Sequence, residues 1–195
     1  MGKQQSLIIF QDKTVGEYLL TEDRSLIDTI LANVNPKRSI KVSWNQKEYI
    51  YRPRVNDLFQ IQWKWVIKIK QGIGNSSLNS VREILSAVFP IMTDQQFYNC
   101  SVFDVFAAYA WIVEEVNNIY EVEKLKLHKK PSSKQIAAGI EEFEQLEDVP
   151  SIDGMAKGDL SKYDEVLELP YGLVLRKMLL NKIQNEYDER YSKLK

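Results

Sequence analysis

Residues Ser101 to Tyr120 read SVFDVFAAYAWIVEEVNNIY. Apolar side chains at Val102, Val105, Phe106, Tyr109, Ile112, Val113, Val116, Ile119 and Tyr120 step by three and four without a gap. That spacing predicts one long amphipathic helix. Ser101 followed by Asp104 predicts a capping box, in which the hydroxyl accepts from a free backbone N–H and the acidic side chain reaches back. Pro131 ends the polar extension of this helix. Ser132 with Gln135 predicts a second capping box, before a helix over Ile136 to Leu146. Asp148 to Asp159 holds Pro150, Gly154 and Gly158 and reads as a loop. Ser161 with Asp164 predicts a short capped helix to Leu169, interrupted by Pro170. The last helix places Val174, Leu175, Met178, Leu179 and Ile183 on one face, and Gln184 to Lys195 is mostly polar, without an apolar stripe of its own.

Upstream of Ser101 the pattern is mixed. Leu7 to Phe10 predicts a short strand, and Ser25 to Val34 a helix stopped by Asn35-Pro36. Ile40, Val42 and Trp44 alternate, as do Tyr49 and Tyr51, around Asn45-Gln46, which predicts a β-hairpin with one packed face ended by Arg52-Pro53. Asn-Gln leaves the turn type open. Val55 to Ile69 predicts a helix, with Gln62 as a break, and Ser80 to Phe89 a shorter one ended by Pro90. Gly72 to Ser77 (GIGNSS) is a loop too short for a flexible linker of any reach. The expected fold is therefore a helix-dominated α+β protein: a small N-terminal β-hairpin element followed by an amphipathic helical bundle. Its expected parts are 1–72 and 78–195, tightly packed or continuous.

The chain has 195 residues, enough to bury one sizeable core. Its 44% hydrophobic and 27% charged residues exclude a disordered chain. The net charge of −1 excludes a global signature of nucleic-acid or membrane binding. No stretch approaches the ~20 apolar residues of a membrane span. Met1-Gly2 with Ser6 fits the loose myristoylation pattern, against the plainer reading of a cytosolic protein with a reduced thiol. The one cysteine, Cys100, excludes an internal disulfide, and the one histidine, His128, removes most zinc and imidazole chemistry. Helical spacing sets these two residues ~40 Å apart. Asp153 to Asp164 fails the calcium-loop pattern at Met155 and Lys157. Gly72-Ile73-Gly74 lacks the third glycine of a dinucleotide fingerprint. No catalytic, cofactor-binding or metal-binding residue is assigned, and the expected protein is not an enzyme.

Charge is segregated along the chain. Pro36 to Lys70 carries nine basic residues against Glu48 and Asp57, a net +7. Glu141 to Leu169 carries ten acidic residues against Lys157 and Lys162, a net −8. The basic segment also holds Trp44, Tyr49, Tyr51, Phe59, Trp63 and Trp65. Three readings fit. The aromatics form core with lysines as a solvated rim. Alternatively, aromatics and cations together bind single-stranded nucleic acid. In the third reading, the two segments meet head-to-tail between copies, which builds rings or stacks. Trp, Tyr and Arg are the usual interface anchors.

Two stretches carry a resemblance. Tyr49 to Val66, YIYRPRVNDLFQIQWKWV, joins a strand to an aromatic helix across a proline. Lys157 to Leu179, KGDLSKYDEVLELPYGLVLRKML, runs from a Gly-Asp turn through a Leu-Pro-Tyr break into an amphipathic helix. Both resemble small assembly and structural proteins of tailed bacteriophages: tail assembly chaperones, or head–tail connector and ring proteins. The resemblance implies a helical, oligomeric virion-assembly protein in the host cytoplasm or virion. It would act by protein–protein contacts with its own copies or another phage structural protein, and with no membrane. A basic-aromatic module for single-stranded nucleic acid is the alternative. The expected interaction residues are Trp44, Tyr49, Tyr51, Arg52, Arg54, Trp63, Lys64 and Trp65, with Tyr187 and Tyr191 on the C-terminal helix.

Overall fold

The computed structural model describes residues 13–74, 77–90 and 93–194. The expected strand at Leu7 to Phe10 and the Gly2 pattern lie outside them, as does part of the loop at Gly72 to Ser77. Among the described residues there are ten α-helices and one two-stranded antiparallel hairpin, a helix-dominated α+β fold. The helices are α1 (Val15–Leu19), α2 (Ser25–Leu31), α3 (Trp63–Gly72), α4 (Leu78–Val88), α5 (Asp94–Tyr98), α6 (Val102–Lys126), α7 (Ser133–Ala137), α8 (Val149–Ala156), α9 (Tyr163–Leu167) and α10 (Tyr171–Ser192). The strands are β1 (Ile40–Trp44) and β2 (Lys47–Tyr51).

The chain divides into two compact units, each discontinuous in sequence. Unit 1 comprises 1–56 and 72–116, and unit 2 comprises 57–71 and 117–195. This differs from the expected division at the Gly72 loop, because α6 gives 102–116 to unit 1 and 117–126 to unit 2.

In unit 1, β1 and β2 pair in the register Ile40–Tyr51, Val42–Tyr49 and Trp44–Lys47. Directly opposed residues share a face. Ile40 and Val42 are buried on that face, while Lys41, Ser43, Glu48 and Ile50 are exposed on the other. Asn45 and Gln46 both have positive φ, 50° and 59°, the signature of a type I′ turn. Cys100 bridges Val42, and Ser101 bridges Thr14, so a short extended segment lies between the hairpin and the start of α1. A Thr14–Glu17 capping box begins α1. Along α6 the predicted Val102, Val105, Ile112 and Val116 are buried and Phe106, Tyr109 and Val113 half-buried, but Tyr120 is exposed, and the buried face also takes in Ala107, Ala108 and Trp111, outside the predicted set.

In unit 2, the buried apolar residues are Leu58, Ile61, Trp63, Val66, Ile69, Ile119, Ile152, Ala156, Val166, Tyr171, Val174 and Leu175. Several local expectations are corrected here. Val55 to Ile69 is not one helix: Asp57 caps a 3-10 turn at Leu58–Gln60, Ile61 is extended, and α3 begins only at Trp63. The extended residues are held there by a bridge between Gln62 and Pro170. The expected helix over Ile136 to Leu146 is broken at Gly139, whose φ of 78° has no place in a right-handed helix. A capped α7 precedes it, with the predicted Ser132–Gln135 box, and a 3-10 helix (Ile140–Leu146) follows. The expected loop at Asp148 to Asp159 instead contains α8. Pro150 lies in its first turn, where a missing N–H costs nothing, and Lys157 ends it in a left-handed conformation. Asp159, rather than Ser161, caps the turn at Leu160–Lys162 that leads into α9.

Candidate interaction surfaces

Asp104 does not close the predicted capping box. Its backbone N–H meets Ser101 Oγ at 3.4 Å, but its carboxylate turns to the hairpin. Oδ1 accepts from Lys37 Nζ at 2.6 Å and Oδ2 from the Lys41 backbone N–H at 2.8 Å. Lys37 N–H also donates to Ala107 O at 3.0 Å. The first turn of α6 thus holds the start of β1 from both sides. Arg38 donates to Asn56 O at 2.7 Å and lies 5.0 Å from the Trp111 ring centre. These ties fix the hairpin and leave its distal residues outward. Tyr49 is 39% and Ile50 55% exposed, and Arg52 and Arg54 are exposed. Trp44 and Tyr51 are half-buried. Among the described residues, β1 is the one strand paired with β2.

Trp63 is corrected as an interaction residue: at 1% exposure it belongs to the core. Its N–H donates to Leu169 O at 2.9 Å, and Tyr171 N–H donates to Ile61 O at 2.8 Å. Phe59 stacks on Tyr171 with ring centres 6.1 Å apart. Gly172 allows this approach, since a Cβ there would sit 3.1 Å from Phe59 O. Trp65 is half-buried, with Lys64 and Lys68 5.5 and 5.8 Å from its ring centre. Lys64 is ion-paired with Glu168.

The main electrostatic feature of unit 2 centres on Glu123. Glu123 accepts from Lys70 Nζ at 2.6 and 2.9 Å and from the Tyr171 hydroxyl. Lys70 also lies 4.9 Å from the Tyr120 ring centre and 5.5 Å from that of Tyr171. Burial, and then the hydrogen bond to Glu123, push the Tyr171 hydroxyl far up from its ordinary value. Burial raises the nearby Asp148 carboxyl, against the pull of Lys70. Partners 48 and 53 residues apart leave no local trace in sequence. These bonds tie α6 to α3 through Lys70 and to α10 through Tyr171. Three cations of the basic segment, Lys37, Lys64 and Lys70, thus meet carboxylates within their own units. That spends part of the charge contrast read from the sequence.

Cys100 is fully buried, and burial with the Asp104 charge pushes its thiol up to about 12, so it holds no reactive thiolate. Among the described residues no group of three His, Cys, Asp or Glu side chains is placed to hold a metal ion. Nor is any helix among them long and apolar enough to cross a membrane.

On α10, Tyr171, Val174 and Leu175 are buried and Met178 is half-buried. Ile183 is corrected: it lies outside that face. Five residues beyond Met178, it is turned away by about 140° at 100° per residue. Tyr187 and Tyr191 are exposed, with ring centres 6.0 Å apart and planes 14° from parallel. Comparison with protein-family models, curated proteins and solved structures finds no match to this chain.

Proposed function

We propose that this chain is a non-enzymatic virion-assembly protein of a tailed bacteriophage, a tail assembly chaperone or a connector or ring component. It works through protein–protein contacts with its own copies or with another phage structural protein. The observation that carries the reading is a set of large side chains held outward on regular elements: Tyr49 and Ile50 on β2, and Leu180, Ile183, Tyr187 and Tyr191 on α10. A chain acting alone gains nothing from leaving such residues wet. The Tyr49–Val66 and Lys157–Leu179 stretches supply the phage resemblance. In this reading Arg52 and Arg54 rim the β2 contact, where Arg anchors are favoured.

The test is mass by light scattering at low salt, with the chain alone and mixed with virion proteins encoded beside it. The expected result is a multimer or a defined complex. A single-chain mass in every mixture, from a locus without virion genes, overturns the proposal. Binding to short single strands that weakens steeply with salt would favour the nucleic-acid alternative instead.

A further inference from the structure

α10 has two apolar faces. One holds Tyr171, Val174, Leu175 and Met178 and is turned into unit 2. Farther along the same side the links become polar: Lys182 Nζ donates to Lys126 O at 2.9 Å, and Lys129 Nζ to Glu189 at 2.9 Å. The other face carries Leu173, Leu180, Ile183, Tyr187 and Tyr191, with Leu194 in the turn just past the helix end, each more than half exposed. At 100° per residue the five on the helix fall within an arc of about 80°, opposite the inward face. Leu173, Leu180, Tyr187 and Leu194 recur every seventh residue, with Ile183 between them. That is the spacing of a helix–helix seam.

We infer that this outward face pairs antiparallel with the same face of a second copy, Leu180 of each packing against Ile183 of the other. The inference rests on the protein–protein reading above and deepens it by naming the partner. Two charges in the seam select the partner and its direction. At the same 100° per residue, Arg176 falls inside the arc of the stripe and Arg190 at its edge, beside Ile183. A parallel, in-register pair sets each against its own copy, like charge on like. The antiparallel register sets Arg176 level with Tyr187 of the second copy, where a guanidinium stacks on a ring. The same register brings it within about one residue's rise of Glu186. Glu186 lies 3.9 Å from Lys182, beyond hydrogen-bond range, so it has acceptor capacity left. From Leu173 to Tyr191 the stripe runs about 27 Å. Large side chains that are half exposed offer on the order of 100 Å² each, about 600 Å² per copy, near the ~800 Å² per partner of a standard interface.

Light scattering on the full chain, with Leu180→Glu/Ile183→Glu beside it, tests the pairing. The expected masses are two chains, or a multiple of two, for the native sequence and half of that for the double variant. Both positions are exposed, so the circular dichroism and melting of the variant should match the parent. Direction is read by oxidising Leu180→Cys and Ile183→Cys chains, separately and mixed. Cys100 is buried and does not compete. The mixture should cross-link several-fold more than either chain alone. Equal or greater cross-linking of Leu180→Cys with itself overturns the antiparallel arrangement. A multimer whose mass the double variant leaves unchanged overturns this seam while the assembly reading stands on the hairpin. A native chain of single mass that still forms a complex with a virion protein overturns self-pairing alone.

Discussion

α6 carries a carboxylate tie in each unit, and the two are built differently. Asp104, in its first turn, takes one lysine and one backbone N–H; Glu123, near its last turn, takes both bonds from one lysine and a third from Tyr171. The helix dipole favours a negative charge at the first site and opposes it at the second. Asp104 is therefore supported by its own helix, whereas Glu123 depends on its cation. The Lys70 and Glu123 side chains are only 16% and 22% exposed, against 41% and 13% for Lys37 and Asp104. The lysine of unit 2 is thus the more deeply committed of the two.

The largest expected effect is at Lys70. Lys70→Ala leaves Glu123 half-buried, against the dipole and near Asp148, and is expected to cost about 3 kcal/mol in urea unfolding. Lys37→Ala should cost well under half as much, because Asp104 keeps the Lys41 N–H and the dipole. Equal losses would break the contrast. Next comes Asp104→Ala, which frees the Lys41 N–H and unpairs Lys37, at about 2 kcal/mol. Asp104→Asn keeps an oxygen for that N–H and should recover about half of the loss. No recovery would mean that the ion pair, and not the backbone bond, holds β1.

A third effect is smaller and opposite in sign. The Asp148 carboxyl is raised in the folded chain, chiefly by burial. A raised carboxyl means that the folded state binds the proton more tightly than the unfolded state. Its stabilising share is present below the unfolded value and is lost as pH rises through the folded one. Asp148→Asn should therefore stabilise the protein at neutral pH, with the gain vanishing in acid. A constant gain at all pH values would show that the charge of Asp148 is not its cause.

The same contrast between local and distant partners decides what the sequence disclosed. The hairpin register followed from alternation between Ile40 and Tyr51, and the course of α6 from its three-and-four spacing. The Ser132–Gln135 box was legible because both partners lie three residues apart. Asp104 has the same local signature, yet a lysine 67 residues away captures it. The long helix expected from Val55 failed because Gln62 pairs with Pro170, a contact that no periodicity announces. α8 does not show in the sequence because Pro150 and two glycines look like loop signals, although a helix accepts proline in its first turn. Of the expected contact residues, Tyr49, Tyr187 and Tyr191 are outward. Trp63 is not, since a tryptophan at an interface and one in a core look alike in sequence. The outward stripe of α10 was present in the seven-residue recurrence from Leu173 to Leu194. It was hidden because apolar residues on two opposed faces mask each other's periodicity.

The smallest predicted effect compares backbone strain in the two units. Gln46 in the hairpin turn has φ 59°, and Lys157 at the end of α8 has φ 57°. Both are exposed, and a side chain in this left-handed region costs roughly 1 kcal/mol. A type I′ turn favours glycine at the second central position, and a helix end favours it at the left-handed residue. Gln46→Gly and Lys157→Gly are each expected to gain about 0.5 kcal/mol, since glycine's freedom in the unfolded chain offsets part of the relief. Asn45→Gly should gain less, because asparagine tolerates positive φ better than glutamine. Melting of the three single variants against the parent reads the order. A destabilised Gln46→Gly chain would mean that the hairpin turn draws support from the Gln46 side chain. The hairpin would then be held by its turn as well as by Asp104, and unit 1 would depend on its carboxylate even less than the first two variants imply.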